Sequence, residues 1–220
     1  MDNHPYCHES YKNVIATIYK KVNNKPGQPK NFVTEEPYDF YINLKSPFLS
    51  WSPQSDEHTI LLRKMCKQYN RFNFFLKVGV TEKIDGRTTV THVFLIYVEC
   101  RDNLLTKICV VDTAPFAEFN TKLLTKRISF ILEIPIENDD LIEIPLNILL
   151  NDVGIEFDNP KASLQYYEKD TTEKGYCNAW ILYFIDQRVK SKSFKNIYES
   201  ILSSDSPTRL IIAWWKSFHK

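Results

Sequence analysis

Several features that mark common protein classes are scarce or missing in this sequence. Only five of its 220 residues are glycine, and no glycine-rich loop of the kind that cradles phosphates is present, so no nucleotide-type cofactor is expected. The five cysteines, at 7, 66, 100, 109 and 177, are odd in number and form no CxxC pair, which argues against a disulfide framework and a zinc ribbon. His4, Cys7 and His8 cluster without a second ligand pair, and a closed structural site needs four ligands, so no metal is expected either. The 28 basic and 27 acidic side chains nearly cancel, leaving a net charge of +1 that gives no reason to expect nucleic acid or an anionic membrane as the main partner. Apolar runs such as Ile211 to Trp215 are far too short to cross a bilayer, and Met1-Asp2-Asn3-His4 lacks the basic-then-apolar layout of a secretory signal. A soluble intracellular protein is the expectation.

What is present is core material: 43% hydrophobic and 14% aromatic residues, enough for one globular domain. Residues 1–30 read as an N-terminal helix with a turn-rich connector, and 31–220 as the main body. Apolar groups at 11, 14, 15, 18 and 22 have helical spacing, and a second helix is expected over 55–70. Residues 31–52 read as irregular or weakly extended. Strands follow at 72–80, 88–99 and 105–112, joined by turn signals at Asp85-Gly86 and Arg101-Asp102-Asn103, which predicts an antiparallel meander. A helical pattern covers 119–132, the stretch 142–150 is extended or a short helix, and 151–174 is polar and turn-rich. Helices are expected over 176–189, 194–203 and 206–219, with Pro207 suited to a first turn.

One cysteine stands apart from the rest. Cys66, Cys100 and Cys109 lie on helix or strand patterns where a thiol is usually a small core hydrophobe. Cys177, in Gly175-Tyr176-Cys177-Asn178-Ala179-Trp180, falls at a helix start, where unpaired N–H groups and the helix dipole favour a thiolate and can hold an oxyanion. Such a nucleophile needs a base and an acid that orients it. Of five histidines only His92 lies in a strong strand, and antiparallel pairing brings the start of that strand beside the end of the next, where Asp112 stands. Asp102 is the backup acid, though its setting fits a hairpin tip better.

The order His, acid on the following strand, then Cys at a helix start resembles the adenovirus-type and ubiquitin-like-protein-specific (SUMO) cysteine proteases. More closely, Thr91-His92 to Val98, Val110 to Pro115, Leu164-Gln165 and Gly175 to Trp180 running to Asp186-Gln187-Arg188 are similar to uncharacterised large-DNA-virus proteins with a Gly-aromatic-Cys-x-Ala-Trp motif. The resemblance covers about residues 70 to 190. It implies an α+β, papain-like cysteine protease fold, in which a small antiparallel sheet packs against a nucleophile-bearing helix. It also implies Gln165 as an oxyanion donor, with 166–174 looping out, although Val93 stands where a tryptophan commonly follows the histidine.

The expected chemistry is thiol peptidase or isopeptidase cleavage of a protein substrate, either a viral precursor or a ubiquitin-like conjugate, in host cytoplasm or virion. Two other classes keep the same residues. An acetyltransferase would carry the acyl group on Cys177 and need a coenzyme A site; an interaction protein would retain the fold without the reaction.

Overall fold

The longest alternations in the sequence form the longest strands. The computed structural model describes residues 8–23, 30–34, 36, 38–43, 50–53, 56–113, 121–138, 141–143, 176–190 and 192–219. Strands β4 (Arg71–Ile84) and β5 (Arg87–Arg101) pair antiparallel through a turn at Asp85 and Gly86, with φ of 50° and 78° as a two-residue hairpin loop requires. Strand β6 (Leu104–Val111) returns along β5 after Asp102 and Asn103, again at positive φ. The expected meander is therefore in place, and Asp102 is the exposed tip of a hairpin at the opposite end of β5 from His92.

The sheet is larger than that meander, and it is mixed. Strands β1 (Lys30–Val33) and β2 (Phe40–Asn43) both run parallel to β4, β3 (Ser50–Pro53) pairs antiparallel with β2, and β7 (Ile142–Glu143) runs parallel to β6. Residues 31–52, expected to be irregular or weakly extended, thus contribute to three strands. Each is only four residues long, too short for an alternation to be legible, and the edge of β4 supplies the ladder that orders β1 and β2. The polar stretch 151–174 lies outside the described residues.

Alternation divides the apolar residues between two cores. Phe74, Leu76, Val78, Phe94 and Ile96 face helices α2 (Asp56–Gln68) and α3 (Thr121–Leu132), which contribute Leu62, Cys66, Ile128 and Leu132. Phe75, Val93, Leu95 and Tyr97 face the opposite side, where α4 (Cys177–Val189) packs with α1 (His8–Asn23), α5 (Phe194–Leu202) and α6 (Pro207–Lys216). Ser193 and Ser206 cap α5 and α6 by accepting from the N–H groups of Asn196 and Arg209.

Apolar positions 177, 180, 181, 184 and 185 predict one buried stripe on α4, but every residue of this helix except Arg188 is buried. A helix buried all round is the core of its layer. Two polar residues pin it. Asp186 accepts from Lys190 (2.7 Å) and the Trp214 indole (3.1 Å), with Lys21 at 3.5 Å, and so joins α4 to α1 and α6. Arg188 donates to the Tyr97 hydroxyl (3.1 Å) and stacks over that ring, joining α4 to β5. Burial alone would raise the Asp186 pKa; Lys190, Trp214 and Lys21 together hold it below the ordinary carboxylate value.

Because that shift is downward, the stabilisation is present above the ordinary carboxylate pKa and is lost as pH falls below it. Asp186→Ala should therefore cost about 2 kcal/mol at pH 7, a figure kept low because both lysines are half-exposed. Urea denaturation at pH 7 and pH 3 checks this: the gap between wild type and variant should narrow at the lower pH.

Candidate active site

His92 is aimed by an irregularity in the sheet. Val80 pairs with His92 and Thr81 with Val90, which leaves Thr91 as an extra residue on β5, a β-bulge immediately beside the histidine. Bulges of this kind bend a strand and redirect a side chain. On the neighbouring strand, the register Leu95↔Val111 puts Asp112 opposite Phe94 when continued by one step. His92 is two residues from Phe94, so His92 and Asp112 lie within diagonal reach at the same end of the two strands. Their side chains meet: His92 Nε2 lies 2.7 Å from Asp112 Oδ1, and the histidine is 6% exposed.

Cys177 completes the group from the other layer. It is the first residue of α4, 4% exposed, and its thiol is the second hydrogen-bond partner of the His92 ring. With Nε2 taken by Asp112, Nδ1 is the nitrogen left for the sulfur. Unlike Ser193 of α5 and Ser206 of α6, the N-cap residue of α4, Tyr176, makes no side-chain bond to the first turn. The first-turn N–H groups and the positive end of the helix dipole lie at the sulfur's end of the helix.

The electrostatics follow from these contacts. Burial by itself would lower the His92 pKa, but the Asp112 bond, then the Cys177 bond and the charges of both groups, outweigh it and raise the value from 6.5 to about 9. The ring is thereby suited to take up and hold a proton. Among the other described cysteines, burial pushes the Cys109 thiol up to about 12, and the Cys100 thiol is raised by its contact with Cys66 and by burial. Both stay protonated in the core, as their strand positions suggested.

The four residues singled out from the sequence therefore divide three to one. Cys177, His92 and Asp112 come together, whereas Gln165 lies outside the described residues. Some neighbours of the site were not legible in the sequence. Tyr198 on α5 is buried and donates to the backbone carbonyl of Asp112 (3.3 Å), bracing the end of β6. Tyr38, between β1 and β2, reaches the side chain of Asn178, and Tyr11 on α1 lies close enough to both Tyr38 and Cys177 to feel their charge. None of these tyrosines sits in a motif; each arrives from a separate element. An open cleft of about 650 Å³ lined by Ile60, Arg63 and Lys64 lies on α2, across the sheet from this site.

A group whose folded pKa is raised stabilises the fold fully below its unfolded value and loses that contribution as pH rises through the folded value. The His92 contribution should therefore be complete below pH 6.5 and disappear as pH rises through about 9. Asp112→Asn should move the His92 ring midpoint, followed by NMR, downward from about 9 towards the ordinary value, with a matching loss of urea resistance at pH 6. An unmoved midpoint would mean that Asp112 does not govern the ring.

No protein family matches this chain, and no curated protein sequence does. Three solved structures of the Legionella pneumophila effector protein RavZ are similar to it. The one in complex with human LC3B is 10% identical over 83% of this chain and 51% of the RavZ chain, with a TM-score of 0.48. The other two are 9% and 10% identical, cover 84% of this chain and 54% and 57% of theirs, and have TM-scores of 0.45 and 0.44. The chain spans about half the length of these RavZ chains.

Proposed function

We propose that this chain is a cysteine peptidase or isopeptidase in which Cys177 is the nucleophile, His92 its base and acid, and Asp112 the group that orients His92. The observation that carries this reading is the shared imidazole. One ring has a carboxylate at 2.7 Å on Nε2 and a thiol as its other partner, and that thiol stands at the start of a buried helix.

Asp112, bonded to Nε2, holds the tautomer that carries the proton there and leaves Nδ1 as acceptor. His92 takes the Cys177 proton through Nδ1, and the sulfur attacks the acyl carbonyl carbon. The carbonyl π pair moves to oxygen, and the resulting oxyanion is met by first-turn N–H groups of α4, with the Gln165 amide as the further donor implied by the protease resemblance. Collapse breaks the C–N bond, and the leaving amine takes the proton held on His92. Water then attacks the thioester while His92 accepts its proton; the carboxylic acid leaves and the thiol is restored. Each step uses the same proton site, and no metal or cofactor enters.

The substrate class follows from the resemblance to adenovirus-type and SUMO proteases: a peptide bond in a viral precursor, or the isopeptide bond of a ubiquitin-like conjugate. A ubiquitin-like protein bearing an electrophilic C-terminus, and a peptide bearing the same group, test the reading. Wild type should form a covalent adduct with one of them, Cys177→Ala should form none, and His92→Ala should react at least about 100-fold more slowly. Adducts that persist in Cys177→Ala would sink the assignment of the nucleophile. Absence of any adduct with either probe would overturn the peptidase reading and favour an interaction protein of the same fold.

A further inference from the structure

Three buried polar residues have no part in the chemistry above. Lys77 is fully buried (0% exposed), as is Asp39 (1%), and Thr34 joins them. Lys77 Nζ donates to the Thr34 carbonyl (2.9 Å) and hydroxyl oxygen (2.8 Å) and lies 3.5 Å from Asp39 Oδ2. Thr34 donates from its hydroxyl to Asp39 Oδ1 (2.5 Å). Burial lowers the Lys77 pKa, and Asp39 works against that shift. A buried ion pair is a poor source of net stability because desolvation offsets its attraction; what such a network can supply is position.

What this network positions is the short hop between β1 and β2. Strand β1 pairs with Phe72 to Phe75 on β4, and β2 with Val78 to Thr81, so the chain must step across Lys77 between them. Asp39 makes that step in place of a strand residue: its N–H donates to the Lys77 carbonyl and its carboxylate accepts from the Lys77 N–H, both at 2.7 Å. Tyr38 is therefore held one residue before a fixed point. Its ring lies over Gly79, where an added Cβ would stand 3.4 Å from Tyr38 Cγ and 3.2 Å from Tyr41 Cδ1, and it meets Tyr41 edge-on at 5.8 Å. From there the Tyr38 hydroxyl reaches Asn178 Oδ1 at 3.5 Å, a long contact of the kind that tightens when a site is occupied. Burial raises the Tyr38 pKa and outweighs the lowering by the Asn178 contact, with Cys177 adding to the rise, so the hydroxyl keeps the proton it would donate.

We infer that Tyr38 is a positioning residue of the Cys177 site: its hydroxyl holds the Asn178 carboxamide, and with it the first turn of α4, while the Thr34–Asp39–Lys77 network and Gly79 hold Tyr38. The role rests on the triad proposed above and deepens it, because it names what keeps the sulfur in register with His92. Asn178 is the residue next to the nucleophile and is itself buried, so a small swing of its side chain moves the helix start. Gly79→Ala should act on the same site from a distance, since the new methyl group presses on the Tyr41 ring, which meets Tyr38 edge-on.

The test reads the intact chain without assuming a substrate. The rate of Cys177 alkylation by iodoacetamide, mapped by peptide mass spectrometry, and the His92 ring midpoint by NMR are measured for wild type, Tyr38→Phe, Asn178→Ala, the double variant and His92→Ala. Tyr38→Phe should slow alkylation about five-fold, the worth of one hydrogen bond, and lower the His92 midpoint, with little change in melting temperature. The double variant should be no slower than the slower single variant, the signature of one shared contact. Additive losses, or an unchanged His92 midpoint in Tyr38→Phe, would overturn the positioning role while leaving the triad intact. An alkylation rate indifferent to His92→Ala would overturn the triad reading and this inference together.

Discussion

The burial of α4 on all sides is the constraint on which the rest of the site depends. A cysteine at the start of an exposed helix would move with the fraying of its first turn. Here the helix is enclosed by the sheet on one side and by α1, α5 and α6 on the others, with Trp180 and Phe184 fully buried at its centre. Asp186 and Arg188 then fix its far end in opposite directions, one towards α1 and α6, the other towards β5. Rotation and sliding of α4 are both opposed. The sulfur stands at the end whose N-cap residue, Tyr176, makes no side-chain cap bond.

The sheet contributes rigidity of a different kind. Strands β4 and β5 share one of the longest ladders among the described residues, and the single bulge within it falls beside His92. A regular strand would offer its side chains at fixed intervals and in fixed directions. The extra residue at Thr91 breaks that interval at the one place where the histidine has to meet both a carboxylate from β6 and a thiol from the helical layer. The hydrogen bonds to Asp112 and Cys177, with the electrostatic contributions of both groups, outweigh the effect of burial on the ring, so the raised His92 value is a consequence of convergence.

Much of this could be seen in the sequence, for reasons that differ from residue to residue. Strands β4 to β6 are long, aromatic and β-branched, and Asp85-Gly86 is the strongest short turn signal, so the meander and the convergence of His92 with Asp112 followed from pairing geometry. The glycine and aromatic residues before Cys177 marked a helix start. By contrast, β1 and β2 are strands because β4 has an edge to template them, β3 is one because it pairs with β2, and four residues carry no period. All-round burial of α4 was hidden because it depends on three other helices, not on its own stripe. Tyr38, Tyr11 and Tyr198 were hidden for the same reason: each meets the site only after elements far apart in sequence have packed, and no local pattern distinguishes a tyrosine that reaches a site from one that fills a core.

The most direct test of the account is a competition among the cysteines themselves. Limiting iodoacetamide at pH 6, followed by peptide-level quantification of all five thiols in the folded chain, compares Cys177 with Cys7, Cys66, Cys100 and Cys109 under one condition. Cys177 should be alkylated at least about ten-fold faster than Cys66, Cys100 or Cys109, because among the described cysteines it alone is paired with an imidazole at a helix start. Labelling of Cys177 no faster than that of the core thiols Cys66, Cys100 and Cys109 would contradict it.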